Sequence, residues 1–187
     1  MKYLITGLGN PGAEYENTRH NIGWIVLDAM VKEAGATFTS ERYGFVARLK
    51  YRGRILVLLK PTTYMNLSGK AVKYWLNKES VPIEKLLVVS DDLDLETGML
   101  RMKGQGSGGT HNGLNDIIDT LGTPAFPRLR FGIGHDFPQG FQVDYVLGKI
   151  TADEMEIYTP KITKAAEMIR SFAVAGLAAT MSAFNNK

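Results

Sequence analysis

The sequence predicts an α/β fold, a single domain over residues 1–187 with a twisted mixed β-sheet flanked by helices. Three observations carry that expectation. Short apolar runs alternate with segments whose apolar residues recur at helical spacing. Two of the runs are joined by Arg52-Gly53, which suits a tight hairpin and so puts antiparallel pairing into the sheet. No internal repeat, low-complexity stretch or linker rich in turn residues divides the chain.

The elements follow in order. Lys2–Thr6 is the first strand and runs directly into a glycine turn. Ile22, Ile25, Val26, Ala29 and Met30 then mark one face of the first helix. Phe45–Tyr51 and Arg54–Leu59 form the hairpin. Ser68 is placed to cap a second helix, whose buried face carries Val72, Trp75 and Leu76. Lys85–Val89 and Met99–Lys103 read as strands, Leu114, Ile117, Ile118 and Leu121 as a third helix, and Leu129–Ile133 as the last strand. Near the C-terminus Thr151-x-x-Glu154 is a capping box. Pro160 is expected to interrupt that helix before another begins near Lys161.

Composition narrows the function classes. A hydrophobic fraction of 44% with 22% charged residues describes a chain able to bury a core. The net charge of +3 and pI near 9.0 fit a nucleic-acid partner, but equally other anionic substrates. With no cysteine there is no disulfide framework, thiolate metal site or cysteine nucleophile. The opening Met1–Thr6 is interrupted too promptly for a signal peptide, and no apolar run reaches membrane-spanning length. The expectation is a cytoplasmic protein with no membrane partner.

Three strand ends carry polar residues where the apolar pattern stops. The first, Gly7-Leu8-Gly9-Asn10-Pro11-Gly12, contains a literal G-x-G-x-x-G. A dinucleotide site fails on context: the helical period starts only at Ile22, and Asp28, the nearest later acid, lies inside that helix. The glycines instead turn the chain and bring Asn10, Tyr15 and His20 to a common rim. The second, Pro61 to Gly69, offers Tyr64 and Asn66, a pair suited to stacking on a base or peptide and hydrogen bonding it. The third is Ser90-Asp91-Asp92-Leu93-Asp94-Leu95-Glu96. Thr97 stands where a calcium loop needs its turn glycine, so Asp91 is the candidate for chemistry at the strand's C-terminal end. Asp92, Asp94 and Glu96 read as solvated loop charges.

The glycine-rich run from Lys103 to Gly113 lacks the G-K-[ST] of a P-loop. Its glycines allow close backbone approach to a ligand, with Asn112 as a contact at the start of the next helix. Lys103, Arg128 and Arg130 supply positive charge nearby, and Arg128-x-Arg130 sets two guanidiniums on one strand face, as phosphate binding would use.

Only three histidines exist, at positions 20, 111 and 135. His20 stands out, in a polar run between a glycine turn and a helix. If Asp91 accepts a proton from one ring nitrogen, the other is free to take a proton from water. That resembles two members of a hydrolytic triad, with water in place of serine. Metal-assisted hydrolysis is the weaker option, because no histidine pair has ligand spacing, and no cofactor is expected.

Several segments together resemble the bacterial-type peptidyl-tRNA hydrolase family. They are Gly7-Leu8-Gly9-Asn10-Pro11-Gly12 with Tyr15 and Thr18-Arg19-His20-Asn21, Pro61–Gly69, Asp91-x-Leu93-Asp94-Leu95, Gly108-Gly109-x-His111-Asn112-Gly113-Leu114 and Arg128-Leu129-Arg130-x-Gly132-Ile133-Gly134. They occur in family order, and Val146-Leu147-Gly148-Lys149 extends the match. The resemblance implies a monomeric, metal-independent esterase acting on peptidyl-tRNA, with His20 as general base and Asp91 supporting it. It implies that Asn10 distinguishes blocked from free aminoacyl ends, and that Tyr15, Tyr64, Asn66 and Asn112 contact substrate. Asn112 would also help hold the attacking water or the oxyanion, Lys103 and Arg130 would clamp the tRNA 5′-phosphate, and His135–Val143 would be a mobile lid. Thr110 stands in place of a usual third glycine, Asn115 in place of a common lysine and Tyr64 in place of a frequent phenylalanine. A non-catalytic RNA-binding module on the same fold is the main rival reading. A nucleotide-dependent oxidoreductase is a more distant one.

Overall fold

The computed structural model describes residues 1–187. Its strands are β1 (Lys2–Gly7), β2 (Thr39–Glu41), β3 (Gly44–Tyr51), β4 (Arg54–Pro61), β5 (Leu86–Asp92), β6 (Leu100–Lys103) and β7 (Arg128–Gly132). The helices are α1 (Ile22–Glu33), α2 (Ser68–Lys78), α3 (Asn112–Leu121), α4 (Gln142–Val146), α5 (Ala152–Ala175) and α6 (Leu177–Phe184). The strands form one seven-stranded sheet in the order β2-β3-β4-β1-β5-β7-β6. β1 runs parallel to β4 and β5, and β5 parallel to β7. The pairs β2–β3, β3–β4 and β6–β7 are antiparallel, so the sheet is mixed as expected. Arg52 (φ 46°) and Gly53 (φ 80°) both adopt left-handed backbone, the requirement of a two-residue hairpin turn.

The sheet is packed on both faces. Along β1, Tyr3 and Ile5 join a core shared with α1 and α5, while Leu4 joins a second core with α2 and α3. Alternation along a pleated strand thus divides one apolar run between two helical layers. The start of α1 lies directly on the end of β1. A Cβ at Gly7 would come within 2.3 Å of the Gly23 carbonyl oxygen. The first glycine run therefore serves close helix–strand packing, with no helix opening at the glycines to receive a pyrophosphate.

The sequence expectations need correction in five places. Pro160 does not end a helix: α5 continues through it, since Pro160 and the carbonyl-bearing Glu156 lie on the solvent side. Tyr158 before it and Ala165, Met168, Ile169 and Phe172 after it stay on one buried face, which holds the helix together. Ser68 is the first residue of α2 and not its cap; its buried Oγ donates to the Met65 carbonyl at 2.6 Å. Strand β2 and helices α4 and α6 were not foreseen. At the far edge, Asn185 beyond α6 takes the place of a neighbouring strand, its Oδ1 and Nδ2 each pairing with the Met102 backbone at 2.9 Å. No helix is long and apolar enough to cross a membrane.

Candidate active site

The C-terminal ends of β1, β5 and β7 open into a cleft of ≈ 490 Å³. Asp91 is the penultimate residue of β5 and is 4% exposed. Its Oδ2 lies 2.7 Å from His20 Nδ1, at the turn leading into α1. Its Oδ1 lies 2.9 Å from His111 Nε2, at the N-cap of α3. One carboxylate thus holds two imidazoles, brought from opposite sides of the sheet, with ring centroids 4.9 Å apart.

Hydrogen bonding fixes the ring protons. His111 Nδ1 accepts the Leu114 backbone N–H at 3.2 Å, so its proton sits on Nε2 and is donated to Asp91. His20 donates from Nδ1, which leaves Nε2 with its lone pair. Burial works against the charged form of His20, but the adjacent Asp91 carboxylate outweighs it and raises the imidazole pKa above 6.5. Burial likewise opposes ionisation of Asp91; the two imidazoles overcome it and hold the carboxyl well below the ordinary aspartate range.

The three ligand-type atoms lie within 4.8 Å of one another. The histidine pair missing from the sequence spacing is therefore present in space, which corrects the reasoning from spacing alone. The atoms that would face an ion already join one another by hydrogen bonds.

Asn10 is fixed from two sides. Its backbone exchanges hydrogen bonds with the Asn21 side chain at 2.8 and 3.0 Å. Its Oδ1 accepts the Met65 N–H at 2.6 Å, which leaves the Nδ2 donor as its unpaired polar group at the cleft. The Met65 amide is delivered by a strained residue. Tyr64 adopts φ 62° and ψ 156°, a conformation nearly reserved for glycine and costing about 1–3 kcal/mol in other residues. The same bend sets exposed Tyr64 and Asn66 on the rim.

All nine residues singled out by sequence line this cleft. Tyr15 joins His20 and Asn10 from the β1 side, and Asn112 stands exposed at the first turn of α3. Lys103 and Arg130 line it from β6 and β7. His111 was not among the nine; a histidine beside Asn112 in a glycine-rich turn, in a chain with few histidines, was the signal available.

The basic end differs from expectation in three respects. Arg128 is no free cation: it is 1% exposed and donates to the carbonyls of Gly106 (2.8 Å) and Pro124 (2.6 Å), holding the glycine-rich loop. Burial and the neighbouring Arg130 charge pull its pKa down to about 10. Asp92 is no solvated loop charge, because its Oδ2 pairs with Arg130 Nη1 at 3.0 Å. Asn115 pins the loop, its Nδ2 donating to the Gly109 carbonyl at 3.0 Å. Gly109 (φ 55°) takes the left-handed turn and Thr110 does not have to, so that departure is accommodated.

A family model described as peptidyl-tRNA hydrolase matches residues 4–187. The chain belongs to that family. It is 55% identical to the peptidyl-tRNA hydrolase of Phocaeicola vulgatus over the full length of both chains. To that of Chlorobium phaeobacteroides it is 43% identical, over 98% of each chain. The crystal structure of peptidyl-tRNA hydrolase from Acinetobacter baumannii superposes with a TM-score of 0.92 at 34% identity, covering 98% of this chain and 94% of that one.

Proposed function

We propose that this chain hydrolyses the ester joining a peptide, or an N-blocked amino acid, to the 3′ end of tRNA. The observation that carries the reading is the 2.7 Å contact of His20 Nδ1 with buried Asp91 at the floor of the cleft. Asp91 holds the imidazole in the tautomer that presents Nε2 to a water. As the water oxygen bonds to the ester carbonyl carbon, its proton passes to Nε2. The tetrahedral oxyanion then collapses, the carbon–oxygen bond to the ribose breaks, and the imidazolium returns the proton to the ribose oxygen. Asp91 stays ionised throughout. His111 acts as a positioning residue, its Nε2–H holding the second carboxylate oxygen.

Amide donors on Asn10, Asn66 and Asn112 offer hydrogen bonds to the peptide and to the developing oxyanion. Asn10 supplies a reason for preferring blocked ends. Its open group is the Nδ2 donor, which suits an acyl oxygen; a free ammonium brings donors only. Lys103, together with the Arg130 nitrogens that Asp92 leaves open, gives the cleft donors fitted to phosphate, so RNA is gripped by backbone and shape, without sequence reading. All these groups come from one chain, so a monomer suffices.

The test is release of an N-acetylated amino acid from charged tRNA, with unblocked aminoacyl-tRNA as control. Turnover of the blocked substrate in clear preference to the free one is expected. Binding of tRNA without any turnover would overturn the reading in favour of a non-catalytic RNA-binding module.

A further inference from the structure

Arg19, the neighbour of His20, is tied to more structure than any chemistry so far described requires. Its backbone N–H donates to the Gly148 carbonyl at 3.0 Å. Its guanidinium grips Glu154 with two hydrogen bonds, Nε to Oε2 at 2.9 Å and Nη2 to Oε1 at 2.7 Å. Nη1 donates to the Tyr145 carbonyl at 2.9 Å, and the guanidinium carbon lies 4.2 Å from the centre of the Tyr145 ring. Both charged side chains are largely buried, at 12% and 14% exposure. Room for the guanidinium is specific: a Cβ at Gly148 would sit 2.6 Å from Nη1.

These contacts join three elements. Glu154 is fixed in the first turn of α5, where its Oε1 also accepts the Thr151 backbone N–H at 2.9 Å. Tyr145 belongs to α4, whose Val143 and Val146 line the same cleft as the base. Arg19 itself belongs to the turn that presents His20. The short helix α4 has no buried residue of its own and is held by this guanidinium, by the Tyr145 hydroxyl on the Ile133 carbonyl and by partial packing of Tyr145 and Val146 on the core. The chain just after it is also tied to the His20 side, through the Thr18–Lys149 bridge and Ile150 N–H on the Asn17 carbonyl.

We propose that Arg19 is a positioning residue, locking the His20 turn and the α4 wall to the common anchor Glu154 so that base and substrate meet at a fixed distance. The proposal rests on the hydrolytic reading above. A bidentate, stacked guanidinium is a role lysine cannot reproduce, because an ammonium is a point charge without the planar fork. Small misplacements of a reacting group cost about 10²-fold in rate.

The experiment measures kcat, KM and the pH profile of ester hydrolysis for wild type, Arg19→Ala, Arg19→Lys, Glu154→Gln and Gly148→Ala, with amide hydrogen exchange over residues 141–147. For Arg19→Ala the expected result is a fall in kcat of at least about ten-fold, a displaced acidic limb of the pH profile and faster exchange in α4. Arg19→Lys should recover only part of this. Should Arg19→Ala fail to fold, Gly148→Ala and Glu154→Gln, which disturb the same guanidinium more gently, are expected to show the same three changes to a smaller degree. Folded variants with wild-type kcat, pH profile and α4 exchange would overturn the proposal, as would variants that lose thermal stability alone. A wild-type chain inactive on N-blocked aminoacyl-tRNA would sink the hydrolytic reading instead, while the exchange comparison would still decide whether Arg19 holds α4.

Discussion

At the scale of single residues, the chemistry depends on how Asp91 divides its two oxygens between two imidazoles. Burial alone would depress the pKa of His20, and the carboxylate is what lifts it above 6.5. Activity needs the unprotonated ring, so the rate should rise with pH through a limb lying above that value. Replacing Asp91 with Asn removes the upward influence and leaves burial, so the limb should move to lower pH. At the same time kcat should fall by about 10²–10⁴-fold, because the tautomer is no longer enforced. A pH–rate profile of Asp91→Asn checks this; an unmoved limb would count against the pairing. Much of this was legible in sequence: His20 and Asp91 announced themselves as polar residues at strand ends. His111 did not, because its partnership with Asp91 requires α3 and β5 to meet. Nor did Arg128, since a buried cation serving carbonyls looks the same in sequence as one awaiting a phosphate.

At the scale of elements, periodicity read the long pieces well and the short ones poorly. The hairpin at Arg52-Gly53 and the capping box at Thr151 rest on local chemistry, and both stand, the latter with Glu154 N to Thr151 Oγ1 at 3.1 Å. Strand β2 and helix α4 are too short to show a period, and their form depends on neighbours. Pro160 misled because proline is a local signal, whereas the continuity of α5 comes from its buried face on either side. Pro160 also gives a prediction. Alanine there restores a backbone donor in mid-helix at a solvent-facing position. The gain of about 3 kcal/mol in helix propensity exceeds the 0.4–1 kcal/mol or so of lost restraint on the unfolded chain. Pro160→Ala should therefore stabilise the protein by about 2 kcal/mol in urea unfolding, with hydrolysis unchanged. A loss of stability would show that the ring packs in some way the helix needs.

At the scale of the whole molecule, two apolar cores clamp the sheet from both sides and leave its C-terminal strand ends to carry the polar groups. His20, Lys103 and Arg130 line the same cleft, so the base and the groups suited to phosphate face one space. Replacing Lys103 with Ala should weaken binding to tRNA, and lower the salt dependence of that binding by about one phosphate contact, while sparing short peptidyl esters. Equal losses on both substrates would remove the phosphate role. The role of His20 as general base can be measured in single-turnover hydrolysis of N-acetylaminoacyl-tRNA by His20→Ala, with tRNA affinity determined on the same preparation. Ester cleavage is expected to be abolished while affinity is largely retained; cleavage at a near wild-type rate would rule out His20 as the base.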